Sequence, residues 1–179
     1  MSRGRLQAAG GGFTLVEMLV VVAIIAIITS VVLLAFTLTG RDRELEAETD
    51  RLFALFNYTR EQAELQTREY GVLFQDDGYE FLSYDVHRDH WRSVFEDESL
   101  APRHLPDGLD LRLSVDGRPV VLTRPKDSTD KTPQVMVFSN GDLNSFEVTL
   151  ERDNGLRSVT LKPDDKGLIS RGEIVELKR

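Results

Sequence analysis

The stretch GGGFTLVEMLVVVAIIAI, residues 10–27, decides the fold of this chain. It places one carboxylate, that of Glu17, close to the start of an apolar run. From Met18 to Phe36 the chain carries no charge, and Thr29 and Ser30 are the only polar residues of the run. At about 1.5 Å per residue, this run makes roughly 28 Å of helix, which is close to the hydrocarbon thickness of a bilayer. The sequence therefore predicts a membrane segment that carries a soluble domain on its C-terminal side.

Composition excludes several classes of function. The chain has 179 residues with a formal net charge of −8, and an acidic domain does not suit nucleic acid, because phosphate contact needs a basic face. It contains no cysteine, so disulfides, zinc thiolates and thiol catalysis are all excluded. The length suits one ordinary domain plus an extension.

Three interpretations compete for the first forty residues. A cleaved secretory signal has an apolar run of about 7–15 residues followed by small residues, and here the run is longer with no such site behind it. A plain anchor fits the length, and Glu17 near its end could snorkel to the interface. A plain anchor leaves the small residues at positions 8–12 unexplained, however. A buried charge at the helix centre would also cost about 2.5–3.5 kcal/mol.

The third interpretation explains both the small residues at positions 8–12 and the carboxylate of Glu17. GGFTLVEMLVVVAIIAI resembles the processing site of the type IV pilin and pseudopilin families, in which a basic leader ends in glycine and a glutamate stands fifth in the mature chain. The resemblance implies that a prepilin peptidase cuts between Gly12 and Phe13 and that Phe13 is then N-methylated. It further implies that Glu17 pairs with the Phe13 amine of a neighbouring subunit during assembly.

Arg3 and Arg5 precede the run and favour a cytoplasmic leader by the positive-inside rule, so the C-terminal domain faces the periplasm. The predicted organisation has four parts: a leader (1–12), a transmembrane and assembly helix (13–40), an amphipathic half of the same helix (41–69) and a β-rich periplasmic domain (70–179).

The spacing of apolar residues in the amphipathic half of the helix predicts which face is buried. Leu45, Leu52, Phe56 and Ala63 step by seven, four and seven residues, which places them on one side of a helix. Phe53 and Leu55 widen this stripe. We expect the stripe to pack against the domain.

From Tyr70 onward the pattern changes to short strands and turns. YGVLF (70–74) and YEFLSY (79–84) are joined by a turn, and LDLRLSV (109–115) is joined to RPVVL (118–122) by Asp-Gly, a hairpin signal. QVMVFS (134–139), followed by Asn-Gly and FEVTLE (146–151), predicts another hairpin. LRSVTLK (156–162) and a strand near 174–177 complete a mainly antiparallel set. Residues 87–108 are expected to mix strand and irregular loop, and residues 123–133 to form a mobile loop.

Residues 68–113 (REYGVLF…GYEFLSYD…W…LP-DG-L-L-L) and 135–151 (VMVFSNGDLNSFEVTLE) resemble the GspH family, minor pseudopilin H of the type II secretion system. The resemblance implies an α+β, pilin-like fold with a long N-terminal helix packed on a mainly antiparallel β domain. It also implies a place near the pseudopilus tip, where the chain would link the minor pseudopilins I, J and K to the major pseudopilin G. There it would support export of folded exoproteins across the outer membrane, with exoprotein contact as a further partnership.

Minor pilins of the FimU/FimT type are the nearest alternative, although many type IV pilins carry a C-terminal disulfide that this chain lacks. The major pseudopilin usually has a C-terminal calcium loop, for which Asp164-Asp165 is only a faint candidate.

A membrane-anchored periplasmic enzyme is the alternative from another class. His87, Asp89 and His90 form H-R-D-H, and His104 follows, but there is no H-E-x-x-H, G-x-S-x-G or phosphate loop. Loop histidines in solvent are favoured over a metal site, so neither a metal nor another cofactor is expected.

Two acidic triplets and two aromatic residues have more than one interpretation. Asp76-Asp77-Gly78 and Asp153-Asn154-Gly155 could bind calcium, but such triplets are ordinary turn chemistry. Trp91 and Phe95 could be exposed partner contacts, and packing in the core or on a sheet is the favoured expectation.

Overall fold

A computed structural model describes residues 14–123 and 131–177, and for residues 31–42 it describes the backbone but not the side chains. Helix α1 spans Leu15–Gln66. The chain divides into two units, with the boundary between Arg41 and Asp42. The helix begins with a side-chain cap, because the Glu17 amide donates a hydrogen bond to Oγ1 of Thr14 at 3.2 Å.

In the second unit the helix contributes the stripe that its spacing predicts. Leu45, Leu52, Phe56 and Ala63 are fully buried, and the partly buried Phe53 and Leu55 pack beside them. The prediction of an amphipathic half-helix with its apolar face on the domain is confirmed. Most of its stability comes from this burial, because helices in proteins are stabilised more by the packing of an amphipathic face than by helix propensity.

Five strands form the first sheet. They are β1 (Tyr70–Gln75), β2 (Gly78–Asp85), β3 (His90–Ser93), β4 (Arg103–His104) and β7 (Val135–Val137). The order is β3-β2-β1-β7, with β4 paired to β2, and every pairing is antiparallel. A single 3₁₀ turn, Glu98–Leu100, lies between β3 and β4.

Six strands form the second sheet. They are β5 (Leu109–Val115), β6 (Arg118–Val120), β8 (Phe146–Arg152), β9 (Arg157–Pro163), β10 (Ile169–Arg171) and β11 (Val175–Glu176). The order is β10-β9-β8-β5-β6, with β11 paired to β9. Asp116 and Gly117 turn β5 into β6 with positive φ angles of 51° and 73°, as the Asp-Gly signal predicts.

The predicted hairpin between QVMVFS and FEVTLE is wrong. Strand β7 pairs with β1, whereas β8 lies between β5 and β9 in the other sheet. The side chain of Asn144 explains the departure, because it accepts a hydrogen bond from the Met136 amide at 2.7 Å and donates one to the Gln134 carbonyl at 3.2 Å. These side-chain bonds occupy backbone groups that a hairpin partner of β7 would need.

Both sheets meet the helix around Phe56. Its ring stacks on Phe146 of the second sheet at 5.1 Å between centroids, and meets Phe81 of the first sheet edge-on at 6.0 Å. Such aromatic pairs add about 0.5–1.5 kcal/mol each to the free energy of area burial. The fold is therefore α+β, with one long helix packed on antiparallel sheets, as expected.

Candidate functional site

The predicted processing and assembly residues fall at the N-terminal end of the chain. Gly12 and Phe13 lie outside the described residues. Glu17 stands in the first turn of α1, where its side chain is exposed. A carboxylate in the first turn is favoured by the helix dipole. Its assembly role stays a prediction.

The first part of the helix, on both sides of Glu17 in the sequence, exposes apolar side chains all round. The exposed large apolar residues of this part are Leu15, Val16, Met18, Leu19, Val20, Val21, Val22, Ile24, Ile25, Ile27 and Ile28. A helix that is apolar all round is stable only in apolar surroundings, such as other helices or lipid. In the part of the chain that the structure describes, no helix has the length and hydropathy of a membrane span.

In the second unit, a buried polar cluster joins the helix to the first sheet. Glu48 is only 3% exposed, and its carboxylate accepts a hydrogen bond from the Tyr79 hydroxyl at 2.7 Å. The Arg103 guanidinium donates to the same carboxylate at 3.1 Å. Burial, with the bond to Glu48, raises the pKa of the Tyr79 hydroxyl. The phenol therefore stays a donor at all physiological pH values.

Sequence reasoning missed this cluster. Glu48 lies on the same buried face of the helix as Leu45 and Leu52, and a carboxylate on that face is a signal that a strand must supply a donor. Two further ion pairs have the same arrangement, in which the acidic residue lies on the helix and the basic residue lies at the end of a strand. Glu44 pairs with Arg152 at 2.8 Å, and Asp50 pairs with Arg171 at 2.6 Å.

A second buried cluster lies on the first sheet. The Lys131 ammonium contacts the Glu80 carboxylate at 2.7 Å and the Ser93 hydroxyl at 2.8 Å. The Ser93 hydroxyl in turn donates to Glu80 at 2.5 Å. Glu80 and Ser93 are buried, so each member satisfies the others. A lysine held by a carboxylate is a positive hydrogen-bond donor, which suits a structural role better than activation of the serine.

The histidines lie apart from both buried clusters. His87 and His90 are exposed beside the turn that joins β2 to β3. His104 is also exposed, and its Nδ1 lies 3.1 Å from a carboxylate oxygen of Asp77. Within the described residues 14–123 and 131–177, no three His, Cys, Asp or Glu side chains come together as a metal site would require.

Both acidic triplets form turns. Asp76 and Asp77 connect β1 to β2, and Gly78 allows close approach of β4, since a Cβ there would lie 2.0 Å from the Arg103 carbonyl oxygen. Asp153, Asn154 and Gly155 have positive φ angles of 54°, 58° and 83° in the turn between β8 and β9. Both triplets therefore lie in turns, as their composition predicts.

The two aromatic candidates behave differently. Trp91 is half-buried on the edge strand β3, with its ring 5.2 Å from that of Tyr84, so sheet packing is confirmed. The expectation that Phe95 packs in the core is wrong, because its side chain is 82% exposed. Its neighbour Val94 is buried instead, and the chain after β3 is too irregular for alternation to predict which of the two points inward.

Two known sequence families match this chain, one at its N-terminal end and one over most of the rest. The family model described as Type II transport protein GspH matches residues 48–165, and the prokaryotic N-terminal methylation motif matches residues 10–33. Type II secretion system protein H of Pseudomonas aeruginosa is 34% identical over 163 residues, which cover 87% of this chain and 92% of that protein. Its namesake from Aeromonas hydrophila is 29% identical over 164 residues, covering 87% of this chain and 90% of the relative.

Solved structures share the fold. The crystal structure of the minor pseudopilin EpsH from the type II secretion system of Vibrio cholerae has a TM-score of 0.63 at 17% identity, covering 75% of this chain and 97% of that one. The solution structure of Escherichia coli GspH has a TM-score of 0.50 at 18% identity, covering 76% and 89%. Since the GspH model covers most of the second unit and more than half of the chain, and the methylation motif precedes it, the chain belongs to the GspH family of type II transport proteins.

Proposed function

We propose that this chain is a minor pseudopilin of a type II secretion system. One observation carries the proposal: a GspH-family domain at residues 48–165 follows an N-terminal methylation motif at residues 10–33 in the same chain. The exposed apolar start of α1 supports it, because such a helix needs neighbours or lipid around it. The proposed role is structural, and the buried polar clusters serve the fold.

The proposed layout follows the charge and hydropathy of the chain. Residues 1–12 form a leader on the cytoplasmic side, and residues 13–40 anchor the chain once through the inner membrane. Residues 41–69 continue as the amphipathic half-helix, and the domain of residues 70–179 lies in the periplasm. On assembly, the same helix leaves the bilayer and joins the pseudopilus.

The proposed processing step lies between Gly12 and Phe13. A prepilin peptidase removes twelve residues and exposes the Phe13 amine, which is then methylated. The intact mass of the protein from native membranes tests this step, and the expected product has 179 − 12 = 167 residues. Retention of the leader in a strain with an active peptidase contradicts the proposal. The matched variant Gly12→Leu is expected to keep its leader, because a bulky residue blocks the cut.

The Glu17 carboxylate is proposed to pair with the Phe13 amine of a neighbouring subunit. Both charges are costly in apolar surroundings unless they are paired, so the pair sets the register of one helix against the next. The proposed partners are the prepilin peptidase, the major pseudopilin G, and the minor pseudopilins I, J and K. The chain links the tip complex to the filament and thereby supports export of folded exoproteins.

Deletion of the gene tests the proposal against its nearest alternative. A minor pseudopilin is needed for secretion, so exoproteins are expected to accumulate in the periplasm while pilus assembly stays normal. A minor pilin of the FimU/FimT type would give the opposite result, with lost pili and normal secretion. The full chain supplied from a plasmid restores secretion if the proposal holds.

A further inference from the structure

An exposed aromatic residue stands on the connection between β3 and the 3₁₀ turn. The Phe95 side chain is 82% exposed, although the residues on either side of this short stretch are anchored in the core. Val94 and Leu100 are both buried, and the Leu100 amide donates a hydrogen bond to the Asp97 carbonyl at 3.1 Å. The backbone on both sides therefore holds the Phe95 ring in solvent.

A cleft of about 510 Å³ opens between the helix and the chain that leaves β3, and the two chain neighbours of Phe95, Val94 and Glu96, line it. Tyr58 and Gln62 line it from the helix, and Val94, Glu96 and Asp97 line it from the other wall. Leu65 follows Tyr58 by seven residues and Gln62 by three, so it lies on the same side of the helix. Its side chain is 71% exposed and lies outside the lining of the cleft, so the helix shows a second exposed apolar residue near the cleft.

The wall that carries Phe95 is fixed in place. The Tyr58 hydroxyl donates to Oδ2 of Asp97 at 2.5 Å, and the Ser99 amide donates to Oδ1 of the same residue at 2.9 Å. Arg92 and Glu96 form an ion pair at 3.1 Å at the end of β3. A surface held in one conformation binds a partner at a lower entropic cost than a mobile loop does.

Charge around the ring is mainly negative. Glu96, Asp97 and Glu98 follow Phe95 directly, and Glu61 faces Tyr58 from the helix. Arg92 and Arg68 are the basic groups that act on this rim. The bond from the Tyr58 hydroxyl lowers the pKa of the Asp97 carboxyl, and hydrogen bonding to its own amide lowers that of Glu96. Both carboxylates therefore stay charged at neutral pH.

We propose that Phe95 and its acidic rim bind a basic segment of another pseudopilus subunit, with an arginine or lysine of that subunit stacked on the Phe95 ring. The proposal rests on the proposed function of the chain as a pseudopilin. A cation over an aromatic face is attracted by the negative charge of that face, and the carboxylates steer the same cation toward the ring. Charge argues against two other occupants. A second copy of this chain has a net charge of −8 and is repelled by the acidic rim, and an anionic lipid surface is repelled in the same way.

Cross-linking in intact cells tests the proposal. A p-benzoylphenylalanine photocrosslinker replaces the exposed Ala101 of the full-length chain, in a strain that lacks the native copy. The expected result is a cross-link to another pseudopilus subunit, identified by mass spectrometry at a peptide that contains arginine or lysine. Phe95→Ala is expected to lower the yield about tenfold, which corresponds to about 1.4 kcal/mol. Glu98→Lys is expected to lower it as well, through charge repulsion.

Val121→Ala is the matched control, because Val121 is an equally exposed apolar residue after β6, and its cross-link yield should equal that of the parent. Melting temperatures of the parent and the Phe95→Ala chain should agree, since an exposed ring contributes little to folding. An unchanged yield in Phe95→Ala overturns the proposal. So does a parental cross-link that goes only to lipid or to a second copy, or no parental cross-link at all.

Failure of the proposed function gives a different result. In that case the parent chain itself does not restore secretion to the deletion strain. If the parent restores secretion and Phe95→Ala keeps its cross-link, only the binding surface is wrong.

Discussion

The Tyr79 hydroxyl oxygen lies 2.7 Å from Oε1 of Glu48, so a strand and the helix are joined through two almost fully buried side chains. Arg103 completes the cluster from β4, where it is the pairing partner of Tyr79 on β2. Apolar packing alone tolerates small rotations of a helix, whereas a hydrogen-bonded carboxylate has one satisfied position. The cluster therefore fixes the rotation of the helix against the first sheet, and with it the surface that the domain presents to other subunits.

Residues 42–179 should fold without the N-terminal unit. The boundary between Arg41 and Asp42 separates this unit, and the core residues that the structure describes as buried lie on its side. Circular dichroism of the fragment should show mixed helix and strand, with one cooperative thermal transition. A purely helical or unfolded spectrum would mean that the domain needs its N-terminal half to fold.

Loss of the Glu48 carboxylate should destabilise this fragment. Glu48→Ala leaves the Tyr79 hydroxyl without its acceptor and Arg103 without its ion pair, at an expected cost of about 2–4 kcal/mol in the free energy of unfolding. Tyr79→Phe removes one neutral donor and should cost about 1 kcal/mol. Urea titration measures both, with the exposed Glu46→Ala as control. Equal stability of the Glu48 and Glu46 variants would show that the cluster contributes nothing.

Lys131→Met should be among the more damaging single changes in the fragment. It leaves the Glu80 carboxylate buried without its cation, and breaking a buried pair in this way costs about 3–5 kcal/mol. The exposed Lys166→Met is the matched control, with an expected change within about 0.5 kcal/mol. The double variant Lys131→Met/Glu80→Met should recover most of the stability, because it removes the unpaired charge. If it recovers none, burial of an unpaired charge is not the cause.

The bond between Tyr58 and Asp97 should make stability depend on pH in acid. The Tyr58 hydroxyl holds the pKa of the folded Asp97 carboxyl below its ordinary value, so the stabilisation is fully present above the unfolded pKa of about 3.9. It is lost as pH falls through the lower, folded pKa. Tyr58→Phe should therefore cost about 1 kcal/mol at pH 7 and progressively less as pH falls below about 4. A cost that is constant from pH 7 to pH 3 would contradict this assignment.

Sequence alone predicted the features that depend on local spacing. The stripe from Leu45 to Ala63 and the Asp116-Gly117 turn each follow from residues within one element. The partners of Glu48 lie 31 and 55 positions away, so no periodicity reveals them. The error at β7 has a local origin, since the Asn144 side chain bonds to the Met136 amide and the Gln134 carbonyl, eight and ten residues away, in place of a hairpin partner.

The N-terminal motif is predictable for another reason. The proposed processing signal of Gly12, Phe13 and Glu17 is a linear pattern, so the sequence carries it without a fold. Phe95 shows the converse. Its hydrophobicity predicted burial, and only the irregular path between Val94 and Leu100 places the ring in solvent.

The central claim, that Glu17 assembles this chain into a pseudopilus, is open to a direct test. Because the chain has no cysteine, one cysteine in place of Val22 can report contact with a single cysteine in the major pseudopilin. In the proposed pair, Glu17→Ala leaves the Phe13 amine of the neighbour unpaired in an apolar setting, at a cost of about 3–5 kcal/mol. The Glu17→Ala chain should still be inserted and cut at Gly12, while Glu17→Asp keeps a carboxylate and should keep part of the contact.

The decisive measurement is the yield of this disulfide cross-link at native expression level. The account predicts a loss of roughly 10²–10³-fold in Glu17→Ala, from about 1.4 kcal/mol per factor of ten, together with exoprotein retained in the periplasm. Parental cross-link yield and normal secretion by Glu17→Ala would contradict it, and would leave Glu17 as a snorkelling residue of a plain anchor.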